Sequence, residues 1–179
     1  PPVLAAVRAT WTELRKPARV LLVLDVSGSM GNAAGGGRTR LELAQAAAVN
    51  GLAQLSDTDE VGLWTFPGQD GGIHGEHSPL APLGPQRQQM IDRIRSLVPT
   101  GGTPLYAVTR QASEAVRAGA SDDAINAIVV MTDGRNEYPD DDDLDGLVRQ
   151  LSDLAVEDGI RVFTIAYGRD ADLDTVTRI

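Results

Sequence analysis

Apolar residues recur along this chain in two alternating patterns. The run Val20-Leu21-Leu22-Val23-Leu24 has no polar alternation. It predicts a strand buried on both faces, as in a parallel sheet. Ile125 to Met131 reads the same way, and Glu60 to Phe66 and Val162 to Tyr167 predict further strands. Between them the spacing changes to that of helices. Leu41, Ala44, Ala48, Leu52 and Leu55 share one face of a helix opened by Thr39-Arg40-Leu41-Glu42, which has capping-box spacing. Helices are also predicted over Pro85 to Leu97, from Thr103-Pro104 onward, and from Leu144 to Asp158. Leu173, Val176 and Ile179 begin another, and Leu4, Val7, Trp11 and Leu14 form a helical stripe that Pro17 stops. The Gly- and Pro-rich stretch from Pro67 to Pro85 leaves room for a short edge strand over Gly72 to Leu80. Strand, helix, strand, helix is the pattern of a parallel α/β sheet with crossover helices.

Composition narrows what such a sheet can serve. The chain has 179 residues, the size of one domain, with 42% hydrophobic and 23% charged residues. Sixteen Lys+Arg against 25 Asp+Glu leave a net charge of −9, which argues against nucleic acid and against docking on an anionic membrane. Cysteine is absent, so disulfides, zinc thiolates, iron–sulfur clusters and cysteine nucleophiles are excluded together. The apolar runs are far shorter than the about 18–20 residues that cross a bilayer, so this stretch inserts no helix into a membrane. The chain opens Pro1-Pro2 with neither Met nor a signal-peptide pattern, and we expect it to be a piece of a longer protein.

Chemistry concentrates where elements end. Asp25-Val26-Ser27-Gly28-Ser29 follows the first buried strand, Thr100-Gly101-Gly102-Thr103-Pro104 opens a helix, and Thr132-Asp133-Gly134 follows another buried strand. In open α/β sheets, ligands bind in the crevice outside the carboxyl ends of the strands. If those two strands are neighbours, Asp25 and Asp133 converge. Two carboxylates in a partly dry cleft repel unless a proton or a cation joins them. Ser27, Ser29 and Thr103 add neutral hydroxyls, and an all-oxygen set with few charges suits a hard ion, Mg²⁺ ahead of Ca²⁺. Each cluster also has a plainer explanation. Asp25 could cap a turn, the serines could be loop residues, and Thr103 before Pro104 has the form of an N-cap followed by proline.

Taken together and in this order, the three clusters resemble the von Willebrand factor type A domain. Asp25-Val26-Ser27-Gly28-Ser29, followed by Met30, matches its D-x-S-x-S motif, Thr103 its second-loop threonine and Asp133 its third-loop aspartate. The resemblance implies a three-layer, Rossmann-like, doubly wound sheet. That sheet is mostly parallel, with one antiparallel edge strand and helices on both faces. It also implies a metal-ion-dependent adhesion site. Ser27, Ser29 and Thr103 would touch the metal, Asp25 and Asp133 would act mostly through water, and Mg²⁺ would be the cofactor, with Mn²⁺ or Ca²⁺ possible. The partner would be a protein whose Asp or Glu completes the coordination. Residues 1–18 would form an N-terminal helix and junction and 19–179 the domain, with the family's last strand and long C-terminal helix lying past Ile179. The stretch from Arg15 to Met30 further resembles actinobacterial cell-surface proteins that pair a solute-binding domain with this one. An extracytoplasmic location follows from that likeness.

Competing readings are weaker. Asp141-Asp142-Asp143-Leu144-Asp145-Gly146 imitates an EF-hand loop, but its twelfth position is Ser152 rather than Glu. An acidic first helical turn explains it better. His74-Gly75-Glu76-His77 lacks the helix of a zinc motif and reads as an exposed loop. Trp64 and Phe66 read as core, and glycines 35 to 37 as loop rather than a phosphate cradle. A Mg²⁺-dependent phosphohydrolase would use Asp25 as nucleophile, yet Ser27 stands where its general acid belongs and the only lysine is Lys16. A structural domain with an empty site is the remaining alternative. The expectation is a binding module, not an enzyme.

Overall fold

The computed structural model describes residues 15–169 and 171–179. The helical stripe expected over Leu4 to Leu14 lies outside them. Seven strands and five helices follow in chain order among the described residues, with a short 3₁₀ turn over Gly28–Gly31. They are β1 (Ala18–Asp25), β2 (Ala33–Gly35), β3 (Arg38–Thr39), α1 (Arg40–Leu52), β4 (Glu60–Phe66), β5 (Gly75–Pro82), α2 (Leu83–Arg95), α3 (Leu105–Arg117), β6 (Ile125–Thr132), α4 (Leu144–Glu157), β7 (Arg161–Ala166) and α5 (Leu173–Arg178). The main sheet runs β5-β4-β1-β6-β7. β1 is parallel to β4 and β6, β6 is parallel to β7, and only β5 is antiparallel.

Side-chain alternation along the central strands divides the core between two faces. Leu22 and Leu24 of β1 and Val61 and Leu63 of β4 face α1 and α2, where Leu41, Ala44, Ala48, Met90 and Ile94 are buried. Leu21 and Val23, with Trp64 and Phe66, face α3 and α4, meeting Leu105, Val108, Ala112, Leu147 and Leu151. The unbroken apolar run of β1 is thus explained: both of its faces are covered. Trp64 and Phe66 are core, as their positions predict. β5 carries Pro79 and Pro82, tolerable because it is an edge strand.

Helix signals held with small shifts. Thr39 and Glu42 form the predicted capping box, although α1 ends at Leu52 and leaves Leu55 just beyond it. Asp143 and Asp172 cap α4 and α5 through Gly146 and Thr175. Where only a loop was expected after β1, β2 and β3 form a small hairpin turned by Gly35, Gly36 and Gly37, all at positive φ. The histidines correct the expectation of an exposed loop. His74 stacks on Trp64 with ring centroids 3.8 Å apart and is 2.7 Å from Gln111 Oε1. His77 lies in β5, between Thr65 Oγ1 at 2.8 Å and the Arg93 Nε–H, which donates to its Nδ1 at 3.0 Å. Burial, then the charge of Arg93, pushes His77 below the usual imidazole range.

Candidate metal-binding site

Connections from β1 and β6 leave the sheet on opposite faces. α1 packs against one side and α4 against the other, which makes the gap between these neighbours the topological switch point. Asp25 is the last residue of β1, and Asp133 follows the last residue of β6. The parallel register pairs Leu24 with Met131, so both acids emerge at the same end of adjacent strands.

Asp25 is fully buried. Its Oδ1 accepts from the Ser27 backbone N–H at 2.7 Å, and its Oδ2 accepts from the Thr132 hydroxyl at 2.6 Å. Burial pushes its pKa up to about 6; the hydrogen bonds from Ser27 and Thr132 oppose that rise, and the charge of Asp133 adds to it. The Ser27 and Ser29 hydroxyls lie 3.0 Å apart. Met30, fully buried beneath the 3₁₀ turn, anchors that loop in the core. Backbone bonds from Gly28 N to the Gly101 carbonyl and from Thr100 N to the Val26 carbonyl tie it to the second loop.

Thr103 is buried in that second loop. The cap position of α3 falls on Pro104 and no side chain caps the helix, so the plainer N-cap reading of Thr103 is not realised. Its carbonyl accepts from Leu105 N and Glu137 N, linking the second loop to the third. Asp133 is buried as well. Its Oδ2 accepts from Arg40 Nη1 at 2.6 Å, while its Oδ1 is buried and has no hydrogen-bond partner among the described residues. Gly134 holds φ +84°, and a Cβ there would fall 2.4 Å from Val176, so only glycine lets the third loop pass under α5. Ser29, Asn32, Arg40, Asp133, Arg135 and Glu137 surround one small cavity of about 70 Å³.

Asp25 therefore contacts Ser27 and Ser27 contacts Ser29, Asp133 shares a cavity with Ser29, and Thr103 is joined through its backbone to the third loop, while its neighbours Thr100 and Gly101 bond the first. Two residues escaped sequence reasoning. Thr132 orients Asp25, and its place directly before Asp133 was the available signal. In the sequence Arg40 stands out only as a member of the capping-box stretch Thr39 to Glu42. The EF-hand imitation dissolves: Asp141 pairs with Arg110, Asp143 caps α4, and Asp145 pairs with Arg178. Among the described residues, no three His, Cys, Asp or Glu side chains gather as a metal cluster. Any cation here must rely on hydroxyls beside two carboxylates. Buried and half-buried oxygens of that kind, one of them without a partner among the described residues, fit a hard divalent ion.

The fold and this arrangement of loops define a type A domain. Residues 20–136 match the von Willebrand factor type A domain family, and the chain belongs to it. It is similar to a von Willebrand factor type A protein from Catenulispora acidiphila, with TM-score 0.65 and 20% identity over 91% of this chain and 36% of that one. The pilus adhesin SpaC from Lactobacillus rhamnosus GG, in its open conformation, is 28% identical over 69% of this chain and 15% of that one, with TM-score 0.54. Manganese-loaded TRAP protein of Plasmodium vivax is 16% identical over 89% of this chain and 61% of that one, with TM-score 0.63. The chain spans less than two thirds of each of these proteins. No curated protein matches it.

Proposed function

We propose that this domain is a non-enzymatic, divalent-cation-dependent protein-binding module of an extracytoplasmic or cell-surface protein. The observation that carries the proposal is the meeting of Asp25, Ser27, Ser29 and Asp133 at the switch point, with one buried Asp133 oxygen that has no partner among the described residues. Ser27, Ser29 and Thr103 would hold the ion, with Asp25 and Asp133 supplying charge around it. Mg²⁺ is the expected ion, and Mn²⁺ or Ca²⁺ can replace it. When bound, the ion offers a Lewis-acid position that an Asp or Glu of a partner protein can occupy.

The chain's own residues prepare that position. Thr132 and the Ser27 N–H fix the Asp25 carboxyl, and Met30 fixes the serine loop from below. Neutral hydroxyls outnumber carboxylates, which leaves a bound cation short of negative charge and receptive to an outside carboxylate. Similarity to a pilus adhesin supports the adhesive reading and the surface location.

Calorimetric titration of Mg²⁺, Mn²⁺ and Ca²⁺ into metal-stripped protein tests the reading. We expect one saturable site, lost in Asp25→Ala and in the Ser27→Ala/Ser29→Ala double variant. Binding that survives both variants would place the ion elsewhere and refute it.

A further inference from the structure

Asp25 and Asp133 are neutralised by different means. Among the described residues, Asp25 takes its hydrogen bonds from neutral donors, Ser27 and the Thr132 hydroxyl. Asp133 instead meets the guanidinium of Arg40 at 2.6 Å, in a pair whose side chains are only 7% and 4% exposed. Arg40 is the first residue of α1, and its neighbour Thr39 is held by the capping box, so its backbone is fixed. Its guanidinium also packs against Gly168, which holds φ +102° after β7; a Cβ there would lie 2.6 Å from Arg40 Nε. The positive charge is thus built into the wall of the cavity that Ser29 and Asp133 also line. That cavity, about 70 Å³, has room for an ion with a few waters, each of which needs roughly 10–15 Å³.

We propose that Arg40 is a resident counter-cation: it neutralises Asp133 in the metal-free domain, and its charge weakens the binding of a divalent ion at the same cavity. This rests on the reading of the cavity as a cation site. Two physical terms set the directions. Removing one partner of a buried ion pair leaves an uncompensated charge and destabilises the metal-free fold. Removing a fixed positive charge from beside an incoming dication removes a repulsion that the dry surroundings screen poorly. Apo stability and metal affinity therefore move in opposite directions when Arg40 loses its charge. A merely structural arginine would not produce that split, because loosening the loop would weaken metal binding as well. The consequence for function is a weak site that stays assembled while empty.

The test compares the wild-type domain with Arg40→Gln, which keeps a donor for Asp133 and loses the charge, and with Arg40→Lys, which keeps the charge. Mn²⁺ affinity is read by calorimetry and the metal-free melting temperature by circular dichroism. Arg40→Gln is expected to melt lower without metal and to bind Mn²⁺ about tenfold tighter or more, whereas Arg40→Lys stays within about threefold of wild type. Arg40→Met is expected to follow Arg40→Gln. If the uncharged variants fold only with metal, the Mn²⁺ concentration that restores folding, multiplied by the fraction folded without metal as extrapolated from osmolyte titration, supplies the intrinsic Kd, and that value should fall below the wild-type Kd. Unchanged or weaker Mn²⁺ binding in Arg40→Gln, with the wild type still binding, overturns the role of Arg40 and leaves the adhesion-site reading standing. Absence of binding in wild type and variants alike overturns both.

Discussion

Replacing Asp25 by Asn should stabilise the metal-free domain at neutral pH while removing its response to divalent ions. Asp25 has no exposed surface, and burial lifts its carboxyl from an ordinary 3.8 to about 6. At about 1.36 kcal/mol per pH unit, holding it ionised inside the fold at pH 7 costs about 3 kcal/mol. Asn avoids that cost. Its amide, however, must face the Thr132 hydroxyl that now donates to Oδ2. A reorganised hydrogen bond takes back about 1 kcal/mol, leaving a net gain of about 2 kcal/mol. In a domain of this size that raises the melting temperature by about 4–8 °C. A raised carboxyl contributes stability that is complete below 3.8 and is lost as pH rises through about 6. The gap between variant and wild type should therefore be small near pH 4 and open toward pH 7. Thermal unfolding in the presence of a chelator, across that range, measures it. His77 titrates in both proteins, so its contribution cancels. An Asn variant less stable than wild type at pH 7, or a gap that ignores pH, would show that the buried Asp25 carboxylate carries no such cost.

Other sites carry independent expectations. Asp59, which has no exposed surface, is pushed up by burial, but the Ala18 N–H, Arg15 and the Ser56 N–H together hold its carboxyl below the usual range. Asp59→Ala should cost about 2–3 kcal/mol in urea unfolding at pH 7, and that loss should shrink as pH falls below about 4, where wild type begins to lose the same contribution. The depressed His77 resists protonation in the fold, so the unfolded chain takes the proton first and stability declines as pH falls below 6.5. In His77→Gln that part of the decline should vanish from the pH profile of unfolding. Phe66→Ala, at a fully buried position of β4 on the face that meets α3 and α4, should cost about 3–5 kcal/mol by chemical denaturation.

What the sequence disclosed and what it withheld divide along a physical line. β1 was legible because a strand covered on both faces has no polar positions, and α1 because Thr39 and Glu42 form a local device three residues apart. The clusters at Asp25, Thr103 and Asp133 were legible because each sits in a short stretch beside a recognisable element. Long-range pairings were not. Arg40 reaches Asp133 across 93 positions, and nothing near Arg40 in the chain announces it. The histidines were misread for the same reason. Gln111, Arg93 and Trp64, which give them half-buried surroundings, come from separate helices and a neighbouring strand. The β2–β3 hairpin was hidden because its turn is made wholly of glycine, which signals a bend without saying what it joins.

A crystal structure of the domain grown with Mn²⁺ and measured at the manganese absorption edge would locate the ion. A single anomalous peak is expected, bounded by the hydroxyls of Ser27 and Ser29 and the side chain of Thr103, with the carboxylates of Asp25 and Asp133 around it. A peak at the acidic run Asp140 to Asp143 instead, or none under conditions where calorimetry shows saturation, would contradict that expectation.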